Sequence, residues 1–179
     1  MGERLDTVLD FFAMCWQWFK KKRDQLITLT ETEKSLLHFS VFSSLGKMQV
    51  KTVSNFVYER SFKSNEVIYQ RGHPNMVMYF IVNGEVDLYD SEDSDKPDLT
   101  LSRGSLVGSI EIFTGSTRVS TAIAKTKCEM LAISKYDFRN LIKNNPRIGS
   151  KVLYAFSERY SKSLYMKILS EKENVKKEQ

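Results

Sequence analysis

At 179 residues, with 41% apolar and 27% charged side chains, the chain has the composition of one soluble domain with extensions, which excludes a disordered chain and a membrane-embedded one. The net charge of +5 comes largely from tracts such as residues 20–23 (KKKR) and is too mild to argue for nucleic acid by itself. Cys15 and Cys128 stand far apart in apolar sequence, which excludes a disulfide framework or a cysteine metal site and fits a reducing cytoplasm.

Residues 5–19 are predicted to be helical. Leu5, Val8, Leu9, Phe12, Trp16 and Phe19 recur at spacings of three and four, and Phe11, Met14 and Trp18 form a second stripe. A helix apolar on two sides needs two partners. Its own domain and a second copy supply them most simply; a lipid surface, with Lys20 to Arg23 on its phosphates, is the alternative. Basic residues also suit a helix C-terminus without any membrane. The apolar run is broken by Gln17, is too short to span a bilayer, and is followed by no small-residue cleavage site.

A second helix is predicted to open at Thr30, with Glu33 in the capping-box position and Leu36 and Leu37 following. His38 has no partner ligand nearby in sequence and reads as structural. Residues 42–57 read as short helical turns leading into a sheet.

From residue 56 to residue 133 the period shortens to that of strands. Candidates are 57–62, 67–69, 77–82, 86–89, 99–101, 106–107, 119–124 and 130–133. Turn chemistry separates them, notably Arg71-Gly72 and Asn83-Gly84, the second a two-residue hairpin signal. Short strands at this spacing predict a closed or sandwiched β unit. The acidic tip at residues 90–95 reads as a solvated hairpin loop, without the glycine and terminal glutamate of a calcium loop. Residues 135–143 form a short predicted helix. Asn145 is then a candidate cap, with Pro146 at the first position of a long amphipathic helix. Along it Ile148, Val152, Phe156, Tyr160, Leu164 and Ile168 recur every four residues, fading into a charged tail at 171–179 where order is doubtful.

The stretch 104–124, GSLVGSIEIFTGSTRVSTAIA, places glycines, a polar loop and Arg118 between two β-prone runs. Glycine lets the backbone approach a ligand, a helical turn after Gly108 would aim N–H groups at an anion, and a guanidinium can close on it. Residues 107–112 (VGSIEI) and 117–121 (TRVST) resemble the phosphate-binding cassette of the cyclic-nucleotide-binding domain family. Upstream, residues 71–75 (RGHPN) and 79–86 (YFIVNGEV) are similar to the same family's turn and strand. The likeness runs from about residue 37 to about residue 164 and covers catabolite-activator-like and protein kinase A regulatory-subunit-like β-rolls.

That resemblance implies an α+β, mainly β chain: an antiparallel double-stranded, jelly-roll-like β-roll over about 56–133, flanked by N-terminal helices and a long C-terminal helix. Residues 1–29 are then a helical extension, 30–170 the domain with its C-terminal helices at 135–170, and 171–179 a charged tail. It implies a ligand site at Gly108, Ser109, Ile110, Glu111, Arg118, Val119 and Ser120, no cofactor, and a cyclic nucleotide such as cAMP or cGMP as ligand. In the family the cassette arginine and backbone N–H groups hold the phosphate, and a glutamate accepts the ribose 2′-hydroxyl. Here Ser109 stands in the glutamate's place, which costs about 1.5–3 kcal/mol for a lost charge-assisted bond. Glu111 stands where the family has a small residue beside the phosphate. About 5 Å away at an effective dielectric of about 20, it would repel a phosphate by roughly 3 kcal/mol, unless it faces solvent or pairs with Arg118.

The reading is a cytoplasmic, non-enzymatic regulatory protein with weakened or altered ligand recognition. The alternative is an interaction module that keeps only the fold and assembles through its helical ends with a partner or second copy. No nucleophile–base pair or metal cluster is apparent. Too few residues follow Leu169 for a helix-turn-helix, so direct DNA binding is not expected.

Overall fold

The computed structural model of the chain describes residues 14–18, 28–91 and 96–177, with residues 171–177 as backbone only. Most of the predicted first helix, its basic tract at 20–23 and the acidic tip at 92–95 lie outside the described residues. Residues 14–18 are helical, and Met14, Trp16 and Trp18 are exposed there.

Five helices and eight strands follow: α1 (Glu31–Leu37), α2 (Lys47–Ser54), β1 (Tyr58–Phe62), β2 (Val67–Tyr69), β3 (Val77–Asn83), β4 (Val86–Tyr89), β5 (Leu99–Leu101), β6 (Leu106–Val107), α3 (Ile110–Thr114), β7 (Thr121–Ala124), β8 (Cys128–Ser134), α4 (Lys135–Asn144) and α5 (Pro146–Lys177). α1 starts at the expected capping box: Thr30 Oγ1 accepts from Glu33 N–H at 3.3 Å, and Glu33 Oε2 accepts from Thr30 N–H at 2.8 Å. Ser134 caps α4 by accepting from Asp137 N–H. The Asn145 amide nitrogen donates back to Leu141 O at 3.2 Å, so its side chain serves the helix before it rather than capping α5.

The strands form two antiparallel sheets of four, in the orders β1-β8-β3-β6 and β2-β7-β4-β5. This is the expected β-roll. Strand alternation builds two cores, one on each side of the first sheet. Met78 and Phe80 of β3, with Leu131 and Ile133 of β8, meet the helices through Leu36, Phe39, Phe42, Val152 and Phe156. Ile81, with Cys128 and Met130, faces the second sheet and meets Val86, Ala122 and Ala124 inside the roll. Phe80 anchors the larger core, with ring centroids 5.1 Å from Phe39 and 5.3 Å from Phe42. Each such buried aromatic stabilises the fold by about 1.5–3 kcal/mol.

The Asn83-Gly84 turn is not a hairpin. β3 pairs with β6 and β8, whereas β4 pairs with β5 and β7, so the turn passes the chain from one sheet to the other. Its backbone partners lie in the β7–β8 connection: Glu85 N–H donates to Thr126 Oγ1, and Lys125 N–H donates to Glu85 O. Gly84 holds φ +96°, and a Cβ there would stand 2.5 Å from Lys127 O and 2.8 Å from Cys128 Sγ, so glycine's local signal is real but its topology is not local. The β4–β5 pair, by contrast, is the antiparallel hairpin expected around the acidic tip.

Candidate functional site

The stretch between β6 and β7 folds as a loop, a short helix and a return. Gly108 takes φ +68°, α3 follows immediately, and Gly115 closes it at φ +76°. Gly108 does more than turn the chain. A Cβ on it would sit 1.8 Å from Arg118 Nη1 and 2.8 Å from its Cζ, so glycine makes the space the guanidinium fills.

Arg118 is buried at 3% exposure. Nη1 donates to Gly108 O at 3.2 Å and Nη2 donates to Val77 O on β3. Its Cζ lies 3.8 Å from the centroid of the Tyr69 ring on β2, a cation–π contact in a desolvated setting. Burial pulls the guanidinium below its ordinary pKa, against Tyr69, Glu111 and Tyr79, which all pull it back. Burial likewise pushes the Tyr69 hydroxyl up to about 12; Arg118 opposes that rise and Glu111 adds to it.

Glu111 is 4% exposed. It neither faces solvent nor pairs with Arg118: among the described residues no ion pair joins them, and Glu111 Oε1 accepts from Val119 N–H at 3.3 Å. The carboxylate thus occupies the backbone donor next to Arg118. Asn75, from the β2–β3 connection, donates through Nδ2 to the same Gly108 carbonyl at 3.4 Å.

α5 reaches this loop. Phe113 of α3 packs edge-on against Phe138 at 5.6 Å, Phe156 at 5.0 Å and Tyr160 at 6.2 Å between centroids. The Tyr160 hydroxyl has its pKa raised, chiefly by burial, with Ser109 and Arg159 lowering it and Glu111 raising it.

Residues 59–145 match the family model described as the cyclic nucleotide-binding domain. The match covers just under half of the chain. The chain is 26% identical over 128 residues to a relative named for a potassium channel in Rhodopseudomonas palustris, covering 72% of this chain and 31% of that one. It is 24% identical over 136 residues to the cAMP-dependent protein kinase regulatory subunit of Dictyostelium discoideum, covering 75% of this chain and 42% of that one. It therefore spans less than half the length of either relative. The crystal structure of a cyclic nucleotide-binding domain from Methylobacillus flagellatus superposes with a TM-score of 0.66 at 19% identity, covering 78% of this chain and 83% of that one, a likeness of fold.

Within the matched stretch, five of the residues singled out from sequence turn inward: Gly108, Ser109, Glu111, Arg118 and Ser120 lie in or against the buried cluster. The side chains of Ile110 and Val119 do not; they are 59% and 57% exposed, and Val119 contributes its backbone N–H instead. Tyr69, Asn75 and Tyr160 escape the sequence reading. Tyr160 is visible there as one more apolar position of the α5 stripe, and Asn75 as part of a turn. Tyr69 carries no local signal. Among the described residues no group of His, Cys, Asp and Glu is arranged to hold a metal, and no helix is long and apolar enough to cross a membrane.

Proposed function

We propose that the chain is a non-enzymatic, cytoplasmic regulatory module that takes a cyclic nucleotide weakly and reports its binding through α5. The single observation that carries this reading is the buried Arg118 guanidinium on Gly108, the one cation of residues 104–124, within the stretch that matches the family model. Weakness follows from how its hydrogens are engaged. Both Nη groups donate to main-chain carbonyls and Glu111 holds Val119 N–H, so an incoming phosphate must displace contacts already made. Ser109, without a carboxylate, adds nothing charged for a sugar hydroxyl. Reporting is supported by Phe113, which locks α3 to α4 and α5 through three aromatic contacts.

Titration calorimetry with cAMP and cGMP tests the reading, with thermal melts alongside. A hundredfold excess over the dissociation constant stabilises the folded state by about 2.7 kcal/mol. Arg118→Ala abolishes that gain; an unchanged gain in the variant refutes the reading.

A second reading is favoured by a different observation. α5 carries Leu164, Tyr165, Ile168 and Leu169 at 60%, 61%, 41% and 37% exposure, an apolar band that suits a protein partner or second copy. In that reading the fold is kept and the ligand is lost. Sedimentation of the chain and of Leu164→Asp/Ile168→Asp separates the two: a larger species that the double variant dissolves, with no response to either nucleotide, selects the interaction module.

A further inference from the structure

We propose that the outer wall of the roll carries a second ligand site, a cleft between the β2–β3 turn and β4 that takes a small phosphate monoester with an apolar body. It is separate from the loop between β6 and β7 and does not rest on the cyclic-nucleotide reading.

Strand alternation puts this cleft outside. Val86 of β4 and Ala122 and Ala124 of β7 point into the roll, so Tyr89, Thr121 and Ile123 stand on the opposite face of the second sheet. With Gln70, Arg71 and His73 of the β2–β3 turn they line a cleft of about 500 Å³. That is the size of a small-molecule site, and a bare inorganic ion would leave most of it unfilled. Tyr89 and Ile123 are half-buried at its base, while Gln70, Arg71 and His73 are exposed at its rim.

The basic rim has no anion of its own. Among the described residues Arg71 and His73 form no ion pair and no side-chain hydrogen bond, and no carboxylate lines the cleft. Lys34, Lys125, Lys127 and Lys162, by contrast, each face a glutamate. Asp87, opposite Ile123 on β4, is 9% exposed, and its carboxylate accepts from Thr100 Oγ1 on β5 at 2.6 Å.

The turn that presents the two basic side chains is fixed. Arg71 N–H donates to Thr121 Oγ1 at 3.1 Å and His73 N–H to Gln70 O at 3.3 Å. Gly72 N–H donates to Arg118 O, and Arg118 N–H to His73 O, each at 2.9 Å. Side chains on a held backbone lose less freedom when they close on a ligand. A guanidinium fork meets two phosphate oxygens at once, and the Gln70 amide and His73 ring supply further polar contacts. The Tyr89 ring and Ile123 offer the apolar surface for the organic part of the ester.

Amide NMR titration of the full chain and of Arg71→Gln, with phenyl phosphate and with inorganic phosphate, tests this. Phenyl phosphate gives saturable shifts at residues 70–73, 89 and 121–123, and binds about tenfold more tightly than inorganic phosphate because its ring is buried. Arg71→Gln melts with the wild type and binds phenyl phosphate about tenfold or more weakly, for the lost charge-assisted contact. Shifts confined to residues 107–119 place the anion in the β6–β7 loop and overturn the proposal. Equal affinity for the two probes means an adventitious ion only and overturns it as well. So does an affinity unchanged in Arg71→Gln, or a wild-type spectrum that neither probe moves. Should Arg71→Gln melt lower, Arg71→Lys, which keeps the charge and loses the fork, carries the comparison: a weaker affinity supports the proposal and an unchanged one overturns it.

Discussion

Replacing Gly108 by alanine tests the central contact of the site. Two costs follow from the structure. The residue holds φ +68°, where a side chain costs about 1–2 kcal/mol. The new Cβ would stand 1.8 Å from Arg118 Nη1 and 2.8 Å from Cζ, so the guanidinium must leave. Leaving forfeits its bonds to Gly108 O and Val77 O, each worth about 1.5–3 kcal/mol as a bond to a charged group. Even the lower ends sum to about 4 kcal/mol, a large share of a domain's usual 5–15 kcal/mol. Equilibrium urea unfolding of Gly108→Ala, Arg118→Ala and the double variant measures this. In the Arg118→Ala background the glycine substitution costs only the backbone strain, about 1–2 kcal/mol. A cost equal in the two backgrounds within about 0.5 kcal/mol refutes the claim that glycine is there to seat the guanidinium.

Glu111→Gln keeps an acceptor for Val119 N–H but removes the charge beside the cation. It raises cAMP or cGMP affinity by about tenfold or more, for a relieved repulsion of about 1.4 kcal/mol upward, read by calorimetry. An unchanged affinity means that the carboxylate does not compete with phosphate. Tyr69 titrates at about 12 in the folded chain against 10.0 for the free group, so the unfolded chain loses its proton first. The contribution is fully present below pH 10 and is lost as pH rises toward 12, by up to about 2 kcal/mol after allowing for the ring's partial exposure. Urea unfolding across that window reads the loss, and Tyr69→Phe removes that part of it. Phe113→Ala, at a ring only 58% covered, costs about 1–2 kcal/mol and frees α5 from the cassette, which amide exchange in the 156–160 turn of the helix reports.

Local chemistry carried much of the fold. The capping box at Thr30 and Glu33, the alternation in β3 and β8 and the glycines at 108 and 115 each act within a few residues, so composition and spacing reveal them. Asn83-Gly84 marks the limit of such signals. It predicts a turn, and there is a turn, but the strands beside it belong to different sheets because their partners, β8 and β7, arrive from about forty residues downstream.

The sequence by itself determined that Arg118 would sit on a glycine-bent loop after a short helical turn, because glycine's freedom and the arginine's neighbours are written in consecutive residues. Only the tertiary structure decided what the guanidinium touches. Val77 is 41 positions away and Tyr69 lies on another strand, so their approach depends on how two sheets close over one another. The same holds for Glu111, for which the sequence left three fates open: a place beside the phosphate, solvent, or an ion pair with Arg118. Which donor a buried carboxylate finds is set by the path of the returning backbone, and here that donor is the amide that follows the arginine.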